Sequence, residues 1–129
     1  MMNPREDDNL GLMICSHKRY ALGDKHDFNF DNHNNWDEAK EGIMKQYKVA
    51  VILPLYLYDH SGITMATKPF SCRWDSGQVG FIVVPKEKIR NEYNVKRISK
   101  ELLEKVSKVV ESEVKSYDNY IMGNEEDED

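Results

Sequence analysis

The sequence predicts an α+β domain: a mixed or antiparallel sheet of about four strands, covered by two or three helices that include a long C-terminal one. The apolar, β-branched run "VAVILPLYLY" at residues 49–58 is typical of a central strand. Two further strand-like runs follow it, at residues 62–68 and 77–84. The last third of the chain keeps a helical apolar period over about six turns. Helices at the end of a chain usually cover a sheet, so the three observations together indicate α+β.

The first extended segment is "LMICSHKRY", residues 12–20. Side chains alternate between the two faces of a strand. We therefore expect Leu12 and Ile14 on one face, and Met13, Cys15 and His17 on the other. The following stretch "KHDFNFDNHNN", residues 25–35, is rich in Asn and Asp and predicts an exposed loop.

A helix is predicted over residues 36–47, with Asn35 as its N-cap and Glu38 completing a capping box. Its buried face is expected to consist of Trp36, Ala39, Ile43 and Tyr47. In the central strand that follows, Pro54 has no amide hydrogen. It should therefore lie at a bulge or on a side that lacks a pairing partner.

Pro85 is predicted to end the last strand and to start a short helix over residues 86–93. Ser99 caps the long helix over residues 100–122, and Gly123 ends it. With no repeat and no linker, residues 1–123 are expected to form one globular domain. Residues 124–129 form an acidic tail.

The charge of the chain is concentrated in that tail. The net charge is −5, from 18 basic and 23 acidic residues, and "EEDED" at residues 125–129 supplies five acids. The remaining 18 acids balance the 18 bases. No apolar run is long enough to span a membrane, and the polar N-terminus lacks the apolar core of a signal peptide. Two cysteines in such a chain fit a reducing cytoplasm.

Cys15, His17, His60 and Cys72 form a candidate metal site. Cys15 and His17 share a strand face, and His60 and Cys72 come from the loops after the long strand and before "WDSGQ". Two thiolates and two imidazoles suit a structural, tetrahedral zinc ion, with Asp59 or Asp75 as a substitute ligand or an orienting group. The spacing is not that of a zinc finger. The alternative for each residue is a buried thiol or a hydrogen-bonded histidine.

Other chemistry in the sequence is less specific. His26 and His33 lie in an acidic loop that offers a second metal hypothesis. Ser76 in "DSGQVG" provides a nucleophile type, but the glycine pattern of a nucleophile elbow is absent. We therefore predict that the protein is not an enzyme. Phe70 and Trp74 are expected to pack over the sheet; an exposed Trp74 would instead indicate a partner-binding anchor.

The segments "NPREDDNLGLMICSHKRYALGD" and "LPLYLYDHSGITMATKPFSCRWDSGQVGFIVVPKEKIRNEY" resemble a family of small proteins encoded by phages and prophages of Gram-positive bacteria. The resemblance runs from about residue 3 to residue 123. Its members typically carry the C-x-H of Cys15, the "DHSG" of His60 and the "SC-x-WDSGQ" of Cys72. This sequence departs from them in its "GNEEDED" ending, and in Arg73, where proline is common.

The resemblance implies an anti-CRISPR protein that inhibits a type II RNA-guided nuclease by stoichiometric binding in the cytoplasm of the bacterial host. Such nucleases hold nucleic acid in a positively charged channel. Acidic residues at 6–8, 37–41 and 125–129 would steer the approach to that channel. Direct nucleic-acid binding is not expected, because acids interleave with the bases of "KEKIR" and "KRISK". The alternatives are a metal-dependent hydrolase of nucleic acid or a nucleotide, with Asp59 or Asp75 as base, and a phage accessory protein.

Overall fold

The computed structural model describes residues 2–123 and confirms the α+β class. Within this range, four strands and three α-helices follow one another along the chain. Their bounds are β1 Leu12–Cys15, α1 Trp36–Tyr47, β2 Val49–Asp59, β3 Ile63–Ala66, β4 Ser76–Pro85, α2 Lys86–Tyr93 and α3 Lys100–Gly123. Short 3-10 turns occupy Pro4–Glu6 and Phe30–Asn32. None of the helices in the described range is both long and apolar enough to cross a membrane.

The sheet is antiparallel throughout, with strand order β1-β4-β2-β3. In such a sheet, neighbouring strands run in opposite directions, so the end of one lies beside the start of the next. The C-terminal end of β2 therefore meets the starts of β3 and β4 along one rim, and the chain after β1, which ends with Cys15 opposite Gly80, continues toward the same rim. We call this rim, where Asp59, Ile63 and Ser76 lie, the loop end of the sheet.

Helices cover both faces of the sheet. On one face, α2 and α3 bury Met13, Leu55, Ile82, Ile89 and Val106 in the larger core. On the other face, α1 packs over β1 and β4 in a smaller core. The smaller core contains Ile14, Ala39, Ile43, Phe81 and Val83. The predicted alternation along β1 is confirmed, because Met13 and Cys15 belong to the first core, and Leu12 and Ile14 to the second.

Both helix N-caps are confirmed. The Asn35 side chain accepts a hydrogen bond from the Glu38 amide at 2.8 Å, and Ser99 Oγ accepts one from the Leu102 amide at 3.1 Å. The capping box differs by one residue, because the Glu38 carboxylate accepts from the amide of Asn34 rather than Asn35. The carboxylate therefore binds an amide just outside the helix.

The segment at residues 25–35 is more buried than its composition predicts. Phe28 is only 7% exposed, and its ring contacts Phe30 edge-on and stacks on His33. Aromatic residues in a polar segment can fill the space beneath a neighbouring helix, and here Phe28 belongs to the core under α1. The prediction of an exposed loop is wrong for this residue.

Side chains and a proline protect the sheet edges. Asp24 accepts from the Met13 amide at 2.8 Å on the outer side of β1, and Asp118 accepts from the Met65 amide at 2.8 Å on the outer side of β3. Pro54 lies opposite Phe81, next to a register shift in the β2–β4 ladder, and beyond the reach of β3. An exposed strand edge can pair with the strand of another chain. The two aspartates and the proline limit such pairing, because they occupy or remove backbone amide donors at the edges.

Candidate functional site

The loop end carries the segments of all four predicted metal ligands. Cys15 ends β1 and His17 lies two residues after it, His60 lies in the turn after β2, and Cys72 lies in the loop before β4. Hydrogen bonds tie these segments to one another. The Ser16 amide donates to the Val79 carbonyl at 2.8 Å, and the Asp59 amide donates to the Asp75 carbonyl at 2.7 Å.

Cys15 points into the larger core rather than toward the loop end. Burial, followed by the nearby charge of Asp24, raises the pKa of this thiol from 9.0 to about 12. Cysteine binds metals as the thiolate. At neutral pH the Cys15 thiol is therefore protonated in this arrangement, and a metal would have to displace the proton.

His17 lies just outside the sheet and supports a local turn. Its Nδ1 accepts hydrogen bonds from the Arg19 and Tyr20 amides, at 3.1 and 3.3 Å, and its ring lies 5.1 Å from that of Tyr20. Nδ1 is therefore occupied, and Nε2 is the ring nitrogen left for a ligand or a partner.

His60 contacts the loop before β4. Its Nδ1 lies 3.0 Å from Asp75 Oδ2, and its ring stacks on Tyr58. The turn that presents it contains Ser61 at φ 61° and Gly62 at φ 148°. The His60–Asp75 contact joins the two loops, although the His60 side chain remains 62% exposed.

Cys72 is half-buried, and its carbonyl accepts a hydrogen bond from the Ser76 hydroxyl. This bond engages the Ser76 hydroxyl within the loop, away from His60. Ser76 therefore has no histidine base in the structure, and a serine nucleophile needs one. A serine–histidine–aspartate triad is therefore not formed at Ser76.

The four predicted ligands do not converge in the structure. Within residues 2–123, no group of three or more His, Cys, Asp or Glu side chains is placed to hold a metal ion. A tetrahedral zinc site would need the Cys15 side chain and both loops to rearrange. The zinc site at Cys15, His17, His60 and Cys72 stays a prediction, and zinc-content measurement on the purified protein tests it. His26 and His33 lie apart: His26 Nε2 contacts the Cys15 carbonyl and His33 stacks on Phe28.

Trp74 is the most prominent feature of the loop end. It is 95% exposed, so the expectation that it packs over the sheet is wrong. Phe70 does pack, with its ring 5.6 Å from that of Tyr58. Phe70 fills the position against the sheet, and the loop then directs Trp74 outward. No other large apolar side chain in the described part of the chain is as exposed.

A groove of about 480 Å³ opens beside Trp74. Most of its lining is polar, with His17, Arg19, Asp59, Asp75 and Gln78 among the side chains. Arg19 pairs with Asp59, which also accepts from the Tyr20 hydroxyl at 3.2 Å. The sequence interpretation missed Arg19. Its position two residues after the predicted ligand His17 was the available signal.

The two cysteines should differ sharply in reactivity. We expect a disulfide reagent such as DTNB to modify about one thiol per native chain, at Cys72, because Cys15 packs against the larger core and burial raises the pKa of its thiol to about 12, which lowers the thiolate fraction far below that of an ordinary cysteine. The second thiol should react only after unfolding. Cys72→Ser should abolish the fast reaction, and Cys15→Ser should leave it unchanged. Equal reaction of both native thiols would contradict the placement of Cys15.

Comparisons with protein-family models, curated proteins and solved structures found no match to this chain.

Proposed function

We propose that the protein is a phage-encoded anti-CRISPR that inhibits a type II RNA-guided nuclease by stoichiometric binding in the bacterial cytoplasm. The observation that carries the binding role is the exposure of Trp74, at 95% of its surface, beside a groove at the loop end. Trp is strongly enriched among the residues that dominate binding energy. The nuclease as target rests on the resemblance to phage proteins.

The loop end supports binding better than catalysis. Asp59, one of the two candidate bases, is held by Arg19 and Tyr20, and Asp75 contacts His60. A general base needs a free carboxylate within reach of the proton that it removes. A hydrolase that used Asp59 as its base would therefore require the Arg19–Asp59 pair to open.

The acidic segments do not share one face. Pro4–Glu6 packs against α3, and Asp8 lies 3.8 Å from Lys88 of α2, whereas Asp37 and Glu38 start α1 on the opposite face of the sheet. Residues 125–129, the third acidic segment, lie outside the described residues. The acidic segments would therefore attract the nuclease from several sides of the protein, and the loop end with Trp74 would make the short-range contact.

The proposal predicts inhibition that saturates near one protein per nuclease. Nuclease cleavage of a target duplex would be measured while the protein is titrated from substoichiometric to excess amounts, across several type II nucleases. A stoichiometric end point, with no turnover of nucleic acid by the protein itself, is the expected result. Turnover of nucleic acid at substoichiometric protein, lost in Asp59→Asn or Asp75→Asn, would favour the hydrolase. Failure to inhibit or bind any nuclease tested would overturn the proposal.

A further inference from the structure

Three exposed cationic residues belong to the two chain segments that meet at the loop end, and one of them, Arg19, lines the groove together with Trp74. Lys18 and Arg19 follow β1, and Arg73 directly precedes Trp74; all three are exposed. Within residues 2–123, Lys18 and Arg73 form no ion pair, and Arg19 remains 64% exposed although it contacts Asp59. Two chain segments more than fifty residues apart therefore contribute cationic side chains to the loop end.

The groove beside this surface suits a polar, flat ligand. Asp59 and Asp75 line it, but each already faces a partner, Arg19 and His60 respectively. The Arg19 charge therefore offsets that of Asp59, so Asp59 repels an anion less than a free carboxylate would. An apolar peptide anchor would need an apolar pocket, and this lining is mostly polar. A nucleobase combines a stacking face with polar edges and matches it better.

We propose that the loop end binds single-stranded nucleic acid, with Trp74 stacking on an unpaired base while Lys18, Arg19 and Arg73 contact the phosphates. Aromatic stacking beside a cationic groove is the general means of binding single strands without reading their sequence. The bound nucleic acid would be an unpaired part of the nuclease's guide or target, and this identification rests on the proposed function. The affinity of the loop end for single-stranded nucleic acid does not depend on the proposed function.

No basic run in the sequence predicts this nucleic-acid site. The fold forms it by bringing separate residues together. The basic runs "KEKIR" and "KRISK" are interleaved with acids and lie in α2 and in the connection from α2 to α3, away from the loop end. Lys18, Arg19 and Arg73 are not a run in the sequence. Antiparallel pairing of β1 and β4 brings their two segments to the same rim.

The test is direct binding of a fluorescein-labelled oligouridine RNA of about twelve nucleotides, followed by anisotropy. We expect saturable binding that Trp74→Ala weakens about tenfold or more, because stacking on one base is worth that much. Arg73→Glu should weaken binding as well. With three phosphate contacts, the logarithm of the affinity should fall with the logarithm of salt concentration at a slope of about −2.

Met44→Ala and Lys45→Glu are matched controls, because both residues are exposed and lie in α1 just before the start of β2, away from the loop end. They should bind RNA like the unaltered protein. Circular dichroism should show that all four variants are folded. Absence of saturable RNA binding, equal binding by Trp74→Ala, or tighter binding of a poly-glutamate peptide than of RNA would each overturn the inference.

The two proposals fail separately. Nuclease inhibition without affinity for free RNA would overturn the single-strand site and leave the inhibitor role in place. RNA binding that Trp74→Ala abolishes, without inhibition of any nuclease, would support the site and contradict the inhibitor role.

Discussion

Replacing Gly80 with alanine should destabilise the protein severely or prevent its folding. Gly80 lies in β4, paired with Cys15 of β1. A Cβ atom at this position would lie 2.0 Å from the Ile14 carbonyl oxygen and 2.8 Å from the Cys15 Cα. Both are backbone atoms of the neighbouring strand and cannot move as a side chain can. The clash of the added Cβ atom can therefore be relieved only if β1 separates from β4.

We expect Gly80→Ala to lower the free energy of unfolding by about 3 kcal/mol or more, at the upper end of the cost of overpacking. Urea denaturation measures it, and hydrogen exchange at the Ser16 amide, which donates to Val79, reports on the β1–β4 junction. Gly77→Ala in the same strand is the matched control. No heavy atom lies within 4 Å of the position that its Cβ atom would occupy, so its effect should stay within about 0.5 kcal/mol. Equal stability of the two variants would contradict the strand register.

Removing the Arg5 guanidinium should lower the free energy of unfolding almost as much as Gly80→Ala does. Arg5 is 3% exposed and forms a bidentate contact with Asp24, at 3.0 and 2.6 Å. It also lies 3.5 Å from Glu113 and donates to the Gly11 carbonyl at 2.6 Å. Glu113 in turn accepts from the Leu10 and Gly11 amides. This cluster joins the N-terminal segment, β1 and α3.

Arg5→Met keeps most of the side-chain volume and leaves two partly buried carboxylates without their cation. Breaking a buried ion pair from one side typically costs about 3–5 kcal/mol, which urea denaturation would detect. Adding Glu113→Gln to Arg5→Met should recover part of the loss, because it removes one of the two repelling charges. Arg90→Met is the control, since Arg90 and Glu87 form an exposed pair worth about 0–1 kcal/mol. A loss for Arg5→Met no larger than for Arg90→Met would show that the cluster is not structural.

Local patterns were sufficient to predict most of the fold. The apolar run of β2, the caps at Asn35 and Ser99, and the helical period of α3 are each encoded within one stretch of chain. The burial of Phe28 could not be predicted in this way. It depends on a contact with the helix that follows, whereas the composition around Phe28 is that of a loop.

The loop end shows where sequence reasoning succeeds and where it stops. Strand alternation correctly put Cys15 and Met13 on one face. The strand order, which the sequence does not predict, brings the segments of His60 and Cys72 to one rim. Side-chain direction beyond the strands depends on tertiary contacts. Whether the loop before β4 turns Phe70 or Trp74 toward the sheet is decided by the space beside Tyr58, which no local pattern reports.

The most direct test of the inhibitor role is titration calorimetry of the protein into a type II nuclease loaded with guide RNA. The proposal predicts about one protein bound per nuclease, with Trp74→Ala at least about tenfold weaker, as for a central binding residue. Met44→Ala, which removes an exposed apolar side chain from α1, should bind unchanged. Binding of Trp74→Ala with the affinity of the unaltered protein would contradict the assignment of the loop end as the contact surface.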